Sequence, residues 1–303
     1  MKKISIGSWA YTIGPYADNP IDFDTVCKKL VELKFDGVEL GGFPPHPNPD
    51  DMPEKSQRDE LAGKMKDWGL GFSGLAANLW GEKLINTDDQ SHYISEFTKN
   101  CQFCVDVGIQ TIRVDAVQPP TIFDEVEYET GFERVTKTWR KCSDIAGDHG
   151  LNVAWEFEPG FAFNKPSEIL RVLDAVDKDN FGVMYDTCHG QMVAVVGCRQ
   201  YGETETLPGG QLELIEKLSG RIKHLHLIDS DNSCHKDANG DDETSSHPPF
   251  GTGVLDFDEL VPVLAKAGLP HDWWTIDLCF WPDAWEATAQ CKQAIDELNE
   301  KYG

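Results

Sequence analysis

The sequence predicts an α/β protein folded as one closed (β/α)8 barrel spanning residues 1–303. Three observations carry that expectation. Eight short apolar or β-branched runs alternate with longer amphipathic stretches, no glycine-rich linker divides the chain, and the last four runs each end in carboxylates or imidazoles. A chain of 303 residues exceeds the average domain, but an α/β barrel commonly reaches ~250 residues as a single domain. The alternative is an open doubly wound sheet, which usually has fewer strands and often a Gly-x-Gly-x-x-Gly turn after the first. No such turn follows the first run.

In chain order, strands are expected at 4–10, 37–41, 70–76, 111–115, 152–158, 182–186, 222–228 and 273–278. Helices are expected near 23–34, 54–68, 92–107, 132–149, 167–175, 211–218 and 257–267, with 284–301 closing the chain. Glycines such as Gly69, Gly108, Gly150 and Gly268 stand where helices give way to strands, a place where the left-handed conformation costs glycine little. The longest loop, 229–253, is polar and acidic; its length predicts a lid or binding loop.

Charge and composition exclude several classes. Lys and Arg number 27 against 52 Asp and Glu, a net charge of −25, which repels phosphate backbones and anionic lipid. A nucleic-acid partner is therefore not expected. With 40% hydrophobic residues the chain is not disordered, and its longest apolar runs, 192–196 and 278–281, are far below the ~18 residues that cross a bilayer. Lys2 and Lys3 precede a segment broken by Ser5, Gly7 and Ser8, unlike a signal peptide. Nine cysteines, an odd number at scattered spacings, fit a reducing compartment, so a cytoplasmic location is expected. Cys101 and Cys104 form a Cys-x-x-Cys, but a three-residue spacing inside a helical stretch merely stacks them on one face.

In a barrel the chemistry sits at the C-terminal ends of the strands. There stand Glu156 and Glu158 on strand five, Asp186 on strand six, His224 and His226 on strand seven, and Asp277 on strand eight. Residues two apart share a face, so each pair points into the barrel or out at the helices. Burying these acids unpaired among helices would be prohibitive, and carboxylates converging in one mouth repel unless a divalent cation neutralises them. Three oxygens and one nitrogen suit Mn²⁺, Mg²⁺, Co²⁺ or Fe²⁺ better than a sulfur-rich zinc site. Trp9, Trp80, Trp281 and Trp285 follow strand ends and are placed to stack on a sugar, whereas Trp68, Trp139 and Trp273 are expected in the helical layer. No Gly-x-x-x-x-Gly-Lys loop is present, and the last two loops are acidic apart from His235 and Lys236, which favours an unphosphorylated ligand.

The second half resembles the xylose isomerase-like TIM barrels, a family that includes sugar isomerases and epimerases, inosose dehydratases and endonuclease IV. The resemblance rests on Gly150-Leu151-Asn152-Val153-Ala154-Trp155-Glu156, Asp186-Thr187-Cys188-His189, His224-Leu225-His226-Leu227-Ile228-Asp229 and Phe250-Gly251-Thr252-Gly253-Val254-Leu255-Asp256-Phe257, in that order. It implies one divalent metal ion held by Glu156, Asp186, His226 and Asp277, with manganese the first expectation and magnesium, cobalt, iron or zinc the alternatives. It implies Glu156 and Asp277 as the acid/base pair; Glu158, an acid beside them, is the substitute base if Asp277 is too short. His189, His224, Asp229 and His247 would bind hydroxyls or relay protons, and Trp9 and Trp281 would wall the sugar. Two departures stand out: strand eight usually supplies a glutamate where this chain has Asp277, and Glu158 is an additional acid. Endonuclease-like members carry extra histidines in earlier strands, but strands two and three here end in Glu39, Leu40 and Ala76, Ala77.

The expected function is a metal-dependent isomerase or epimerase of a free sugar or keto-sugar, working through an enediolate. The first alternative is a lyase or dehydratase acting on a keto-glycoside or inosose by β-elimination. The second is a non-catalytic barrel that binds sugar or calcium. Against calcium, Asp229-Ser230-Asp231-Asn232-Ser233-Cys234 lacks a glycine at its sixth position and Thr244 stands four residues after Gly240, so neither acidic cluster makes an EF-hand. The partner is a small sugar, and a homo-oligomer is the expected assembly.

Overall fold

The computed structural model describes residues 1–237 and 239–303. Eight parallel strands alternate with helices: β1 (Lys3–Ile6), α1 (Phe23–Glu32), β2 (Gly37–Gly41), α2 (Lys55–Trp68), β3 (Gly71–Ala76), α3 (Ser91–Val107), β4 (Thr111–Val114), α4 (Tyr128–Asp148), β5 (Asn152–Glu156), α5 (Pro166–Val176), β6 (Phe181–Asp186), α6 (Thr187–Gln191), α7 (Gly210–Lys217) and β7 (Ile222–Leu227). A two-stranded hairpin, β8 (Cys234–Lys236) and β9 (Asp242–Ser245), then interrupts the pattern before α8 (Phe257–Lys266), β10 (Trp273–Ile276) and α9 (Ala284–Tyr302). The sheet order β1-β10-β7-β6-β5-β4-β3-β2 runs around the barrel, and a bridge between Gly7 and Glu39 joins its two ends just beyond β1. No helix among the described residues is long and apolar enough to cross a membrane.

Both faces of such a sheet are buried, one against helices and one in the barrel, which is why its strands read as apolar runs. Leu225 and Leu227 of β7 are buried in the hydrophobic core, while His224 and His226 alternate with them on the opposite face. The barrel interior is polar. Ser5 lies 2.8 Å from both Ser73 and Thr275, oxygen to oxygen, beneath the mouth. At the lower end Trp273 packs across Gly37 and Gly71, where a Cβ on Gly37 would stand 2.7 Å from the indole. Trp273 therefore fills the barrel floor, correcting its expected place in the helical layer.

Several strands are shorter than the sequence suggests, for one reason. The ladder stops at Ile6, Val114, Glu156 and Ile276, and the next residues turn over the mouth. A 3-10 turn at Ser8–Tyr11 carries Trp9 back across the barrel in this way. The helix expected at 132–149 begins earlier, at Tyr128, because the Glu127 carboxylate accepts the N–H groups of Glu129 and Thr130 as an N-cap. Cys101 and Cys104 are buried in α3, and burial pushes the Cys101 thiol up to about 12, which suits packing and not redox exchange.

Candidate metal centre and its cavity

Strand register brings four candidate ligand atoms together. Asp186 pairs with His226 across β6 and β7, and His226 pairs with Thr275 across β7 and β10, two residues before Asp277. His226 Nδ1 stands 3.4 Å from Glu156 Oε1, 3.4 Å from Asp277 Oδ2 and 3.7 Å from Asp186 Oδ2. All four residues are buried.

Each of these four residues has one heteroatom engaged and the other aimed at the common point. Glu156 Oε2 pairs with the Arg113 guanidinium. Asp186 Oδ1 accepts the N–H groups of Cys188 at 2.6 Å and His189 at 2.9 Å, capping α6. Asp277 Oδ1 accepts Trp9 Nε1–H at 2.9 Å and Cys279 N–H at 2.8 Å. His226 Nε2 lies 3.0 Å from Glu39 Oε2. The remaining atoms, Glu156 Oε1, Asp186 Oδ2 and His226 Nδ1, are buried without a hydrogen-bond partner among the described residues. Ligands at about 2.1 Å from one divalent ion lie roughly 3.0–3.4 Å apart when adjacent, so this donor set fits such an ion.

The charges give the same result. Burial alone would discourage Glu156 from ionising, but Arg113, His226 and His189 hold it at about 2. Burial raises Asp186 well above the usual carboxylate range, and the neighbouring Asp277 carboxylate adds to the rise. Burial would lower His226, yet the Glu39, Asp277 and Glu156 carboxylates keep it well above its usual range. Glu158 is pushed up to about 8, by burial first and the Glu156 carboxylate second. A cluster so rich in carboxylates with Arg113 beside it calls for a further cation.

Above the cluster opens a cavity of about 360 Å³. Glu158, His189, His247, Asp277 and Trp9 line it near the cluster, and Phe43, Trp80, Phe161 and Phe280 form its apolar end. Glu158 accepts a hydrogen bond from the Thr244 hydroxyl of β9. The His189 ring places Nδ1 2.8 Å from Ser245 Oγ and Nε2 3.8 Å from Glu158 Oε2. The hairpin within 229–253 thus brings Thr244, Ser245 and His247 to the site, as a lid would.

Four expected contacts are corrected. His224 is fully buried below the cluster, hydrogen-bonded to Glu39 and His271, and is absent from the cavity lining. Asp229 spends its carboxylate on the backbone N–H groups of Ser230, Gly251, Gly253 and Leu255 and does not line this cavity. Trp281 packs on the hydrophobic core, and Phe280 before it faces the cavity instead. Trp285 likewise packs edge-on against Tyr11 at 5.6 Å. Arg113 and Asp115 at the end of β4 escaped the sequence reading. Their signal was a guanidinium at the inward position of the short run 111–115.

Residues 27–300 match the model of the xylose isomerase-like TIM barrel family. The chain belongs to that family. Among its relatives, an inosose dehydratase of Bacillus licheniformis is 24% identical over 79% of this chain and 75% of its own. An inosose isomerase of Bacillus velezensis is 25% identical over 72% and 73% respectively. The crystal structure of IolI protein with a bound zinc atom superposes with a TM-score of 0.73 at 18% identity, covering 100% of this chain and 99% of that one. A D-psicose 3-epimerase, crystallised in the presence of D-fructose, gives 0.67 at 16% identity over 98% of both chains. The sequence relatives are named as a dehydratase and an isomerase of inososes, and the solved structures share the barrel.

Proposed function

We propose that this protein is a divalent-metal-dependent lyase that removes water from a cyclic keto-polyol of the inosose class by β-elimination. The observation that carries this reading is the unequal engagement of its two candidate acid–base carboxylates. Asp277 has Oδ1 held by Trp9 and Cys279 and Oδ2 in the ligand cluster. Glu158 lines the cavity beside the cluster but outside it, 3.8 Å from His189 Nε2. Epimerisation needs a proton taken from one face of the carbon and returned to the other, hence two free acid–base groups. Elimination on one face needs only one.

A divalent cation, when bound, supplies Lewis acidity that makes the C–H beside a carbonyl acidic. Glu156, Asp186, His226 and Asp277 would hold it, and three oxygens with one nitrogen suit manganese, our first choice, as well as magnesium, cobalt or iron. Glu158, whose ionised form a bound cation would favour, removes the proton from the carbon beside the carbonyl through Oε2, which the Thr244 hydroxyl steadies. The C–H electrons form the new C=C bond, the neighbouring C–O bond breaks, and Glu158 returns its proton to the departing oxygen as water. Arg113 holds Glu156, His189 and His247 orient hydroxyls, and Trp9 with Trp80 excludes water and covers apolar C–H faces. The sequence relatives named as inosose dehydratases support this choice over epimerisation. Buried free thiols and a net charge of −25 support a cytoplasmic enzyme of small, unphosphorylated sugars.

Incubating the metal-loaded protein with an inosose in D₂O, followed by NMR, tests the reading. The expected product is the dehydrated enone-type diketone, and Glu158→Gln lowers its rate by about 10²–10⁴-fold. Deuterium exchange yielding an epimer without eliminated product overturns it in favour of an epimerase.

A further inference from the structure

A continuous chain of hydrogen-bonding groups runs from the candidate ligand His226 down through the barrel to the backbone at its lower end. His226 Nε2 and His224 Nε2 both meet Glu39 Oε2, at 3.0 and 2.6 Å. His224 Nδ1 meets His271 Nε2 at 2.9 Å, and His271 Nδ1 accepts the backbone N–H of Trp273 at 3.2 Å. His224, His226 and Glu39 are fully buried.

The Trp273 contact assigns the protons along the chain. Trp273 N–H can only donate, so His271 Nδ1 is the lone-pair nitrogen and His271 Nε2 carries the hydrogen. His271 Nε2–H then donates to His224 Nδ1, which makes His224 Nε2 the N–H that donates to Glu39. Glu39 Oε2 accepts a second N–H from His226 Nε2, which leaves His226 Nδ1 as the nitrogen whose lone pair a cation would take in place of a proton. Gly74 makes room for this carboxylate, since a Cβ there would stand 3.2 Å from Glu39 Oε1.

We infer that Glu39, backed by His224 and His271, is a positioning residue that fixes the ring orientation and tautomer of His226 so that Nδ1 faces the cation. A ligand imidazole whose other nitrogen donates to a carboxylate is both oriented and made more basic, and loss of such a partner typically costs 10–100-fold in metal affinity. Glu39 itself is set by two N–H donors on one oxygen, and the outer donor is set by the backbone. The lower end of the barrel thereby helps to define the upper. This inference rests on the four-residue centre and not on the reaction proposed for it.

The test uses the full chain with ¹⁵N-labelled histidine, without metal and with Zn²⁺, a diamagnetic probe. Long-range ¹H–¹⁵N spectra are expected to show His224 and His271 as Nε2–H tautomers in both states, and His226 bound through Nδ1 in the zinc form. Competition with a chelating dye is expected to show zinc affinity about 10–100-fold weaker in Glu39→Ala. The loss should be smaller in His271→Phe, and Glu39→Gln, which retains an acceptor oxygen, should recover part of it. A His224 Nδ1–H tautomer, or undiminished zinc affinity in Glu39→Ala, overturns the inference. If Glu39→Ala fails to fold, the wild-type spectra and His271→Phe still decide. A protein that binds zinc through this chain yet leaves inososes untouched overturns the proposed reaction alone.

Discussion

Asp229 shows how a strand-end carboxylate in this barrel becomes structural. Its Oδ1 accepts the N–H groups of Ser230 at 2.9 Å and Leu255 at 3.1 Å, and its Oδ2 those of Gly251 and Gly253, both at 2.9 Å. The carboxylate thereby ties the start of the long lid to its return. Gly253 is forced by the same closeness, since a Cβ there would lie 2.4 Å from Asp229 Oδ1. Removing the acceptor strands four donors, several of them part-buried. Asp229→Ala is therefore expected to cost about 2–5 kcal/mol of stability in urea unfolding. Zinc affinity should change little, because no cluster ligand bonds to Asp229. Unchanged stability with a raised KM would instead return Asp229 to the substrate-binding role suggested by its place in the sequence.

At the scale of elements, α6 is built on the candidate metal site. Asp186 ends β6 and caps α6 through Oδ1, leaving Oδ2 for the cluster, so one side chain ends a strand, starts a helix and offers a ligand. Asparagine caps helices as well as aspartate does, but its amide is a poor ligand for a divalent ion. Asp186→Asn is thus expected to keep the fold, with metal-free stability within about 1 kcal/mol, while zinc affinity in a chelator competition collapses. A collapse of metal-free stability would mean that the cap, and not the charge, is what the site requires. The strands and the inward carboxylates were legible because period-two alternation and strand-end position are local properties of the sequence. The lid hairpin's contribution of Thr244, the Glu39–His224–His271 chain and the pairing of Arg113 with Glu156 were not. Each joins residues distant in the sequence, and only the barrel's closure sets their distances. Trp281 and Phe280 illustrate the limit at single-residue resolution: a left-handed backbone at Phe280 (φ 60°) decides which ring faces the cavity.

For the molecule as a whole, stability should depend on pH through histidines that the fold keeps neutral, and His46 isolates the effect. It is buried far from the metal centre, with Nε2 2.9 Å from the Ile21 carbonyl oxygen and its ring edge-on to Phe23 at 5.4 Å. Burial lowers its pKa below the usual 6.5, against a smaller opposing contribution from the Ile21 hydrogen bond. Below pH 6.5 the unfolded chain therefore binds more protons at this site than the folded one, so its contribution to stability is lost as pH falls. Other groups titrate in the same range with mixed signs: burial holds His271 at about 3, and burial raises Glu168. Comparing wild type with His46→Gln, whose amide can still donate to Ile21, cancels those shared contributions. Urea midpoints measured from pH 7.5 to 5 should show the variant gaining on wild type as pH drops below about 6.5. Parallel curves would mean that His46 titrates alike in the folded and unfolded chain, and that the loop after β2 opens enough to hydrate it.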